Sequence, residues 1–216
     1  PFLVNIDKTE VRADLGNPDQ IILGVDRLDY TKGILQRLQA LEELHKAGMM
    51  PPRTVFLQIA TPSRERIDHY RRTRNMVEQA VGRINGRFGS LGSQVVLYQH
   101  QSFDRERLVK LYATADIMLV TPFKDGMNLV AKEYVACHGD GSGALVLSEF
   151  AGAAEELSEA FLCNPFDVES IKQQLLAALS ASPAEKQARM LRMHEQVISH
   201  DVNVWATAFL RCLTLG

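Results

Sequence analysis

The stretch Ile21-Ile22-Leu23-Gly24-Val25 decides the fold class, because it is a short apolar run without polar alternation. Such a run is typical of a strand in a parallel sheet that helices cover on both faces. Leucine and isoleucine then recur at helical spacing over residues 34–44, and Gly48 and Pro51 are expected to end that helix. A strand that leads directly into a helix is the repeating unit of parallel α/β proteins.

The same alternation of strand and helix continues along the chain. Further apolar runs predict strands at residues 54–59, 95–98, 116–120, 144–147 and 160–163. Two or three helices close the chain, and earlier helical patterns lie at about residues 64–83, 105–113 and 127–137. Gly86, Gly89 and Gly92 are expected to break the first of these. About six strands, each followed by a helix, predict one α/β domain with a doubly wound parallel sheet over residues 1–216.

Composition and charge exclude several classes of protein. Of the 216 residues, 46% are hydrophobic and 23% charged, which is ordinary for a globular domain. No apolar run approaches the ~20 residues of a membrane span. The net charge of −2 argues against a broad basic surface for nucleic acid. Three widely spaced cysteines and the lack of a leader predict a reduced, cytoplasmic protein without a metal site, and the start at Pro1 indicates a piece of a longer chain.

Cationic residues follow the first two predicted strands, at the edge where open parallel sheets bind ligands. Arg27 and Lys32 follow the first strand, and Arg64 follows the second. Three cations at one edge would repel one another unless an anion joined them. A diphosphate suits them, because arginine can contact two oxygens at once and lysine acts as a point charge. The alternative is that each cation pairs with a nearby carboxylate: Asp26, Asp29 or Glu65.

The segment from Asp125 to Glu133 comes after the fourth strand and is expected to open a helix. Free backbone N–H groups from about Met127 to Val130 would form an anion site at its positive end. Glu133 lies seven residues after Gly126, so its carboxylate would lie below this entrance and accept hydrogen bonds from sugar hydroxyls. Asp125 repels phosphate and is expected to hold hydroxyls of a neutral group that the phosphate carries. Alternatively, it only caps the helix.

Two long motifs resemble those of one enzyme family. Residues 25–33, VDRLDYTKG, resemble the VDRLDYTKG or VERLDYSKG signature of trehalose-6-phosphate synthases, and residues 121–135 resemble that family's TPxxDGMNLVAKEYV block. Residues 82–86 and 148–154 also match its pattern. These enzymes are retaining glycosyltransferases of family 20, with the two-domain GT-B architecture and about twice this length. The resemblance implies that the chain is their C-terminal, Rossmann-like half, which binds the sugar nucleotide.

The resemblance implies a role for each cation. Arg27 and Lys32 would hold the donor diphosphate and stabilise the charge that grows on it as it leaves. Arg64 would lie at the donor nucleotide, and the backbone of Phe103 would meet the base.

Only Asp125 offers a carboxylate at this strand end, so we expect retention through departure of the diphosphate and attack on the same face rather than through double displacement. No cofactor and no metal are expected.

The resemblance also implies how the sugar is held. Asp125 would hold the transferred glucose together with three backbone amides, those of Gly126, Met127 and Asn128. The start of the helix would supply backbone amides to the phosphate, and the Glu133 carboxylate would bind ribose. The residues of this helix start are Leu129, Val130, Ala131, Lys132 and Glu133.

The implied reaction moves glucose from UDP-glucose, ADP-glucose or GDP-glucose to glucose 6-phosphate and forms trehalose 6-phosphate. The acceptor would bind in an N-terminal domain that the chain lacks, so the isolated chain is expected to be inactive. A glucosylglycerol-phosphate synthase, a pseudo-glycosyltransferase that couples cyclitols and a non-catalytic nucleotide-binding homologue stay open as alternatives. Residues 201–214, with Trp205 and Phe209, are expected to form a helix that crosses to the absent domain. Without that domain, three outcomes stay open: the apolar face is exposed, the helix frays, or two copies of the chain pair into a homo-oligomer.

Overall fold

The apolar run at residue 21 forms β1, Gln20–Arg27, inside a six-stranded sheet. The other strands are β2 Thr54–Thr61, β3 Val96–Gln99, β4 Ile117–Val120, β5 Ala144–Ser148 and β6 Phe161–Cys163. Their order across the sheet is β3-β2-β1-β4-β5-β6, and each neighbouring pair is parallel. This is a doubly wound, Rossmann-like sheet, so the predicted fold class is confirmed. The computed structural model describes residues 6–63 and 68–199.

Helices cover both faces of this sheet. They are α1 Lys8–Asp14, α2 Ile34–Lys46, α3 Asp68–Phe88, α4 Arg105–Thr114, α5 Leu129–Ala136, α6 Ala153–Glu156, α7 Val168–Ser180 and α8 Pro183–Ser199. In β1, Leu23 packs into the apolar core under α1, α4, α5, α6 and α8, whereas Ile22 packs into the core under α2, α3 and α7. Alternate residues of a strand point to opposite faces, so a strand that is covered on both sides is mostly apolar along its centre.

The first strand extends two residues beyond the predicted one. Asp26 pairs with Ala60 and Arg27 with Thr61 in the ladder between β1 and β2. The alternation of the strand buries the Asp26 side chain and exposes that of Arg27. These two residues therefore belong to the rigid sheet rather than to the loop after it.

The helix α3 is longer than predicted. The break expected at Gly86 is wrong, because α3 continues to Phe88 before Gly89. Within it, Val77 and Ile84 are fully buried against the core under α2 and α7. That burial outweighs the ~1 kcal/mol by which a glycine weakens a helix interior.

Two further boundaries differ from the predicted ones. The helix expected over residues 127–137 is α5, which begins at Leu129. The helix α1 was not predicted, because it buries none of its side chains fully and so carries no apolar periodicity. The helix predicted at residues 201–214 lies outside the described residues, as does Arg64. No helix within residues 6–63 and 68–199 combines the length and the apolar character that crossing a membrane requires.

Candidate functional site

The strand order reverses between β1 and β4, where an open parallel sheet leaves a crevice for ligands. The chain leaves β1 through the β1–α2 loop, residues 28–33, toward one face of the sheet. It leaves β4 through the β4–α5 loop, residues 121–128, toward the other face. The two loops nevertheless touch, since the amide of Phe123 donates to the carbonyl of Thr31 at 2.8 Å. The predicted residues of both loops thus meet at one point.

The β1–α2 loop is held in shape by Asp29. Its Oδ1 accepts hydrogen bonds from the amide and the hydroxyl of Thr31, both at 2.9 Å, and its Oδ2 accepts one from the Tyr70 hydroxyl at 3.2 Å. Burial alone would raise the pKa of Asp29, but the hydrogen bonds from Thr31 and Tyr70 and the charge of Arg27 lower it. Asp29 is therefore ionised and engaged by its own loop and by α3.

An ion pair joins the two loops. The Lys32 Nζ lies 2.6 Å from the Asp125 Oδ2, and the two side chains are only 14% and 19% exposed. Asp125 also accepts hydrogen bonds from the amides of Met127 and Asn128, at 3.3 and 3.2 Å. Burial would raise the pKa of Asp125, but Lys32 and these donors lower it. The structure thus brings together the predicted phosphate-binding lysine and the predicted sugar-binding carboxylate, which lie 93 positions apart.

Lys32 and Asp26 have partners other than those that the sequence left open, and the alternative pairing with Glu65 lies outside the described residues. Lys32 pairs with Asp125 rather than with Asp26 or Asp29. The side chain of Arg27, at the end of β1, is exposed and forms no hydrogen bond or ion pair with any described residue. Asp26 is buried and pairs instead with Arg37. Among the described residues, the guanidinium of Arg27 therefore has no carboxylate partner.

The β4–α5 loop is also held from its other side. The amide of Gly152, which lies after β5, donates to the carbonyl of Asp125 at 2.8 Å. A Cβ on Gly152 would lie 2.2 Å from the carbonyl oxygen of Gly126, so only glycine allows this approach. The loop that carries Asp125 is thus fixed between the β1–α2 loop and the end of β5.

The start of α5 offers fewer free amides than predicted. Asn128, in the left-handed conformation with φ 65°, is the N-cap, and its side chain accepts from the amide of Ala131 at 3.0 Å. Asp125 is therefore not the cap of this helix. The amides of Met127 and Asn128 donate to Asp125, so the expected anion site over residues 127–130 is reduced. Of those four amides, only Leu129 and Val130 have no acceptor within the described part of the chain.

The acidic residue predicted to bind ribose lies one helical turn into α5, not two. Glu133 is exposed, and its carboxylate accepts a hydrogen bond from the Tyr112 hydroxyl at 3.2 Å. Burial and the charge of Glu133 raise the pKa of Tyr112, so the hydroxyl stays protonated as a donor. Lys132 pairs with Glu156 at 2.6 Å, which leaves its backbone rather than its side chain for the role that the resemblance implies.

Phe103 lies in a different environment from the two loops. Its half-buried ring packs against the core, and the guanidinium of Arg107 lies 4.7 Å from the ring centre. It lines a groove between α1 and α4, of about 570 Å³, whose lining includes neither Lys32 nor Asp125. The structure therefore does not bring Phe103 into contact with the ion pair.

Sequence reasoning missed Arg37, which is 0% exposed and lies beneath both loops. It occupies the apolar face of α2, between Ile34 and Leu41, which are also buried. An arginine at the spacing of buried leucines was the available signal, since a buried charge must be paired.

Potential metal ligands do not cluster in the part of the chain that the structure describes. Within the described ranges, no group of three or more histidine, cysteine, aspartate or glutamate side chains is placed to hold a metal ion.

Comparison with known proteins gives consistent matches over nearly the whole chain. The model of glycosyltransferase family 20 matches residues 4–214. A trehalose-6-phosphate synthase of Mycolicibacterium vanbaalenii is 55% identical over 205 residues, which are 94% of this chain and 42% of that protein.

Two solved structures share the fold. An E. coli protein named for trehalose-6-phosphate and bound with UDP-2-fluoro glucose is 42% identical, with a TM-score of 0.88 over 94% of this chain and 46% of that chain. A trehalose-phosphate synthase of Burkholderia xenovorans in complex with glucose-6-phosphate is 42% identical, with a TM-score of 0.89 over 95% of this chain and 46% of that chain. The chain thus spans less than half the length of these relatives.

Proposed function

Because this chain belongs to glycosyltransferase family 20, we propose that it binds UDP-glucose for the transfer of glucose to glucose 6-phosphate, which yields trehalose 6-phosphate. The E. coli relative that binds UDP-2-fluoro glucose supports the donor, and the Burkholderia relative in complex with glucose-6-phosphate supports the acceptor. Since the chain covers less than half of those relatives, its proposed part in the reaction is to hold and activate the donor.

The observation that carries the proposal is the Lys32–Asp125 pair at the reversal of strand order. A sugar diphosphate needs a cation for its phosphates and, a few ångströms away, an acceptor for sugar hydroxyls. The pair supplies both, and Arg27 adds a second cation at the end of β1. The free amides of Leu129 and Val130, at the positive end of α5, add uncharged donors for phosphate oxygens.

The transfer is proposed to retain configuration without an enzyme nucleophile. The bond from the anomeric carbon to the diphosphate oxygen breaks, and the acceptor hydroxyl bonds to that carbon on the same face. Its proton passes to the departing diphosphate. Double displacement would need a carboxylate free to attack. The carboxylates of the two loops already accept hydrogen bonds from protein groups. Asp29 accepts from Thr31 and Tyr70, and Asp125 accepts from Lys32 and two backbone amides.

Calorimetric titration of the 216-residue chain with UDP, ADP and GDP tests the proposal. We expect UDP to bind and ADP and GDP to bind more weakly. Absence of binding for all three nucleotides at millimolar concentration would refute it and favour a structural role for the chain.

Removal of divalent metal is expected to leave UDP binding unchanged. Arg27 and Lys32 provide the positive charge that a metal ion would otherwise bring to the diphosphate. The dissociation constant for UDP, measured by calorimetry with excess EDTA and again with magnesium, should be the same. Loss of binding in EDTA that magnesium restores would contradict the expectation.

Asp125→Asn is expected to strengthen the binding of UDP and to remove any preference of the chain for UDP-glucose over UDP. Without the carboxylate charge, Lys32 is free for phosphate, so UDP should bind about three- to tenfold more tightly. In the variant, UDP-glucose should bind no more tightly than UDP, because asparagine is a poorer acceptor for sugar hydroxyls than a carboxylate.

The matched control is Asp19→Asn. It removes an exposed partner of Arg53 near the amino end of β1, with an N–O distance of 3.2 Å. The control should change neither affinity. Equal weakening of UDP and UDP-glucose by Asp125→Asn would show that Asp125 only maintains the loop.

A further inference from the structure

We propose that Arg37 is a positioning residue of the donor site, which sets the place of Lys32 relative to the end of β4 without touching the donor. This role rests on the proposed function of Lys32 as a ligand of the donor diphosphate. It assigns a purpose to the one fully buried charged side chain of those that the structure describes.

The guanidinium of Arg37 uses all three of its nitrogens. Nη2 donates to the backbone carbonyl of Lys32 at 2.7 Å, and Nε donates to the hydroxyl of Thr121 at 2.7 Å. Nη1 donates to the Asp26 Oδ2 at 2.6 Å and to the Gln58 Oε1 at 3.1 Å. One planar group thus connects both loops of the crevice to Asp26 near the carboxyl end of β1 and to Gln58 within β2.

Stability alone does not account for this cluster. Arg37 and Asp26 are 0% and 3% exposed in their side chains, and a buried ion pair gains little over well-packed apolar residues of similar volume. The neighbours of Arg37 on the same face of α2 are the buried residues Ile34 and Leu41. An apolar residue would continue that face, so the arginine fits a role in placing specific groups.

Two glycines allow the cluster to form. A Cβ on Gly24 would lie 2.7 Å from the Arg37 Nη1 and 2.6 Å from the Gln58 Oε1, so a side chain there would displace the guanidinium. A Cβ on Gly33 would lie 2.2 Å from the carbonyl oxygen of Thr121. The turn after Lys32 therefore packs directly on the end of β4, and Arg37 bonds to both sides of that contact.

The consequence is a fixed distance between the two halves of the donor site. Holding the Lys32 carbonyl places the backbone from which its ammonium reaches Asp125. Holding Thr121 places the residue from which the chain runs, four positions on, to Asp125. Arginine is required because its donors point in three fixed directions, whereas a lysine ammonium at this place would reach only part of the set.

The test compares UDP affinity with thermal stability in the 216-residue chain. Arg37→Lys is expected to weaken UDP binding about tenfold, since a small misplacement of a binding group has an effect of this order or larger. Thr121→Val, which keeps the shape but loses the hydroxyl, should weaken binding in the same direction. Thr121→Ser, which keeps the hydroxyl, should bind UDP with the affinity of the wild-type chain. Calorimetry gives the dissociation constants and circular dichroism gives the melting temperatures.

The matched control is Leu41→Ala, one turn along the same face of α2. It removes buried apolar volume and should lower the melting temperature while leaving the affinity for UDP unchanged. If Leu41→Ala weakens UDP binding as much as Arg37→Lys at the same loss of melting temperature, Arg37 is only structural and the proposal fails.

A double-mutant cycle shows whether Arg37 acts through Lys32. In the Lys32→Ala background, Arg37→Lys should have almost no further effect on UDP binding. Additive losses would overturn the proposal, as would unchanged UDP affinity in both Arg37→Lys and Thr121→Val. A wild-type chain that does not bind UDP would instead refute the proposed function itself, so the two failures are distinct.

Discussion

Lys32→Ala is expected to lower kcat by about 10²–10³ while changing the KM for UDP-glucose far less. Lys32 lies at the crevice, and its ammonium would lie against the oxygen on which negative charge grows as the diphosphate departs. That charge is larger in the transition state than in bound UDP-glucose, so the interaction contributes mainly to the rate. UDP carries the same developed charge, so its affinity should fall together with kcat.

The measurement needs an active enzyme that contains this chain. A suitable one is a chimera in which the chain replaces the 205 matching residues of the Mycolicibacterium vanbaalenii synthase. Steady-state rates at varied UDP-glucose separate kcat from KM. Lys172→Ala is the matched control, because Lys172 is also an ion-paired, 18% exposed lysine, bound to Glu43 and Glu169 on the α2–α7 side. It should leave kcat unchanged.

An unchanged kcat with a raised KM in Lys32→Ala would contradict the role assigned to this residue. It would mean that Lys32 binds the ground state and the transition state equally. A fall in kcat of the same size in Lys172→Ala would point to general loss of folded enzyme.

Gly33→Ala is expected to lower the free energy of unfolding by several kcal/mol and to abolish UDP binding. Its φ of +65° alone makes alanine about 1–2 kcal/mol less favourable. The larger part comes from the new methyl group, which would lie 2.2 Å from the backbone carbonyl oxygen of Thr121. Backbone cannot yield as a side chain can, so the β1–α2 loop must move away from β4 and carry Lys32 away from Asp125.

Gly48→Ala isolates the cost of the backbone conformation. Gly48 has φ +66°, and a Cβ there would meet nothing within 4 Å. Urea unfolding should show a loss of only about 1–2 kcal/mol, with UDP binding intact. Equal losses of stability in the two variants would show that the contact with Thr121 relaxes easily and does not hold the loops together.

The sequence alone determined the strands of the sheet, because a strand that is buried on both faces forms a short continuous run of apolar residues. The stretches 21–25 of β1 and 144–147 of β5 carry no polar side chain, and the strand runs predicted from such stretches all appear in the structure. It also placed Lys32 and Asp125 at the carboxyl ends of strands, since that position depends only on which residues come directly after each apolar run. That the amides of Met127 and Asn128 donate to Asp125 could not be predicted, because this depends on which nearby side chain reaches them.

Only the tertiary structure decided which of these residues meet. Lys32 faces Asp125 because β1 lies beside β4. The hydrophobic periodicity of the sequence does not indicate the order of strands in the sheet. Asp26 became the partner of Arg37, although Arg27 and Lys32 are nearer in sequence, because the extended strand buries Asp26 under α2. Periodicity records whether a residue is buried, but the partner of a buried charge is set by packing between elements that are distant in the chain.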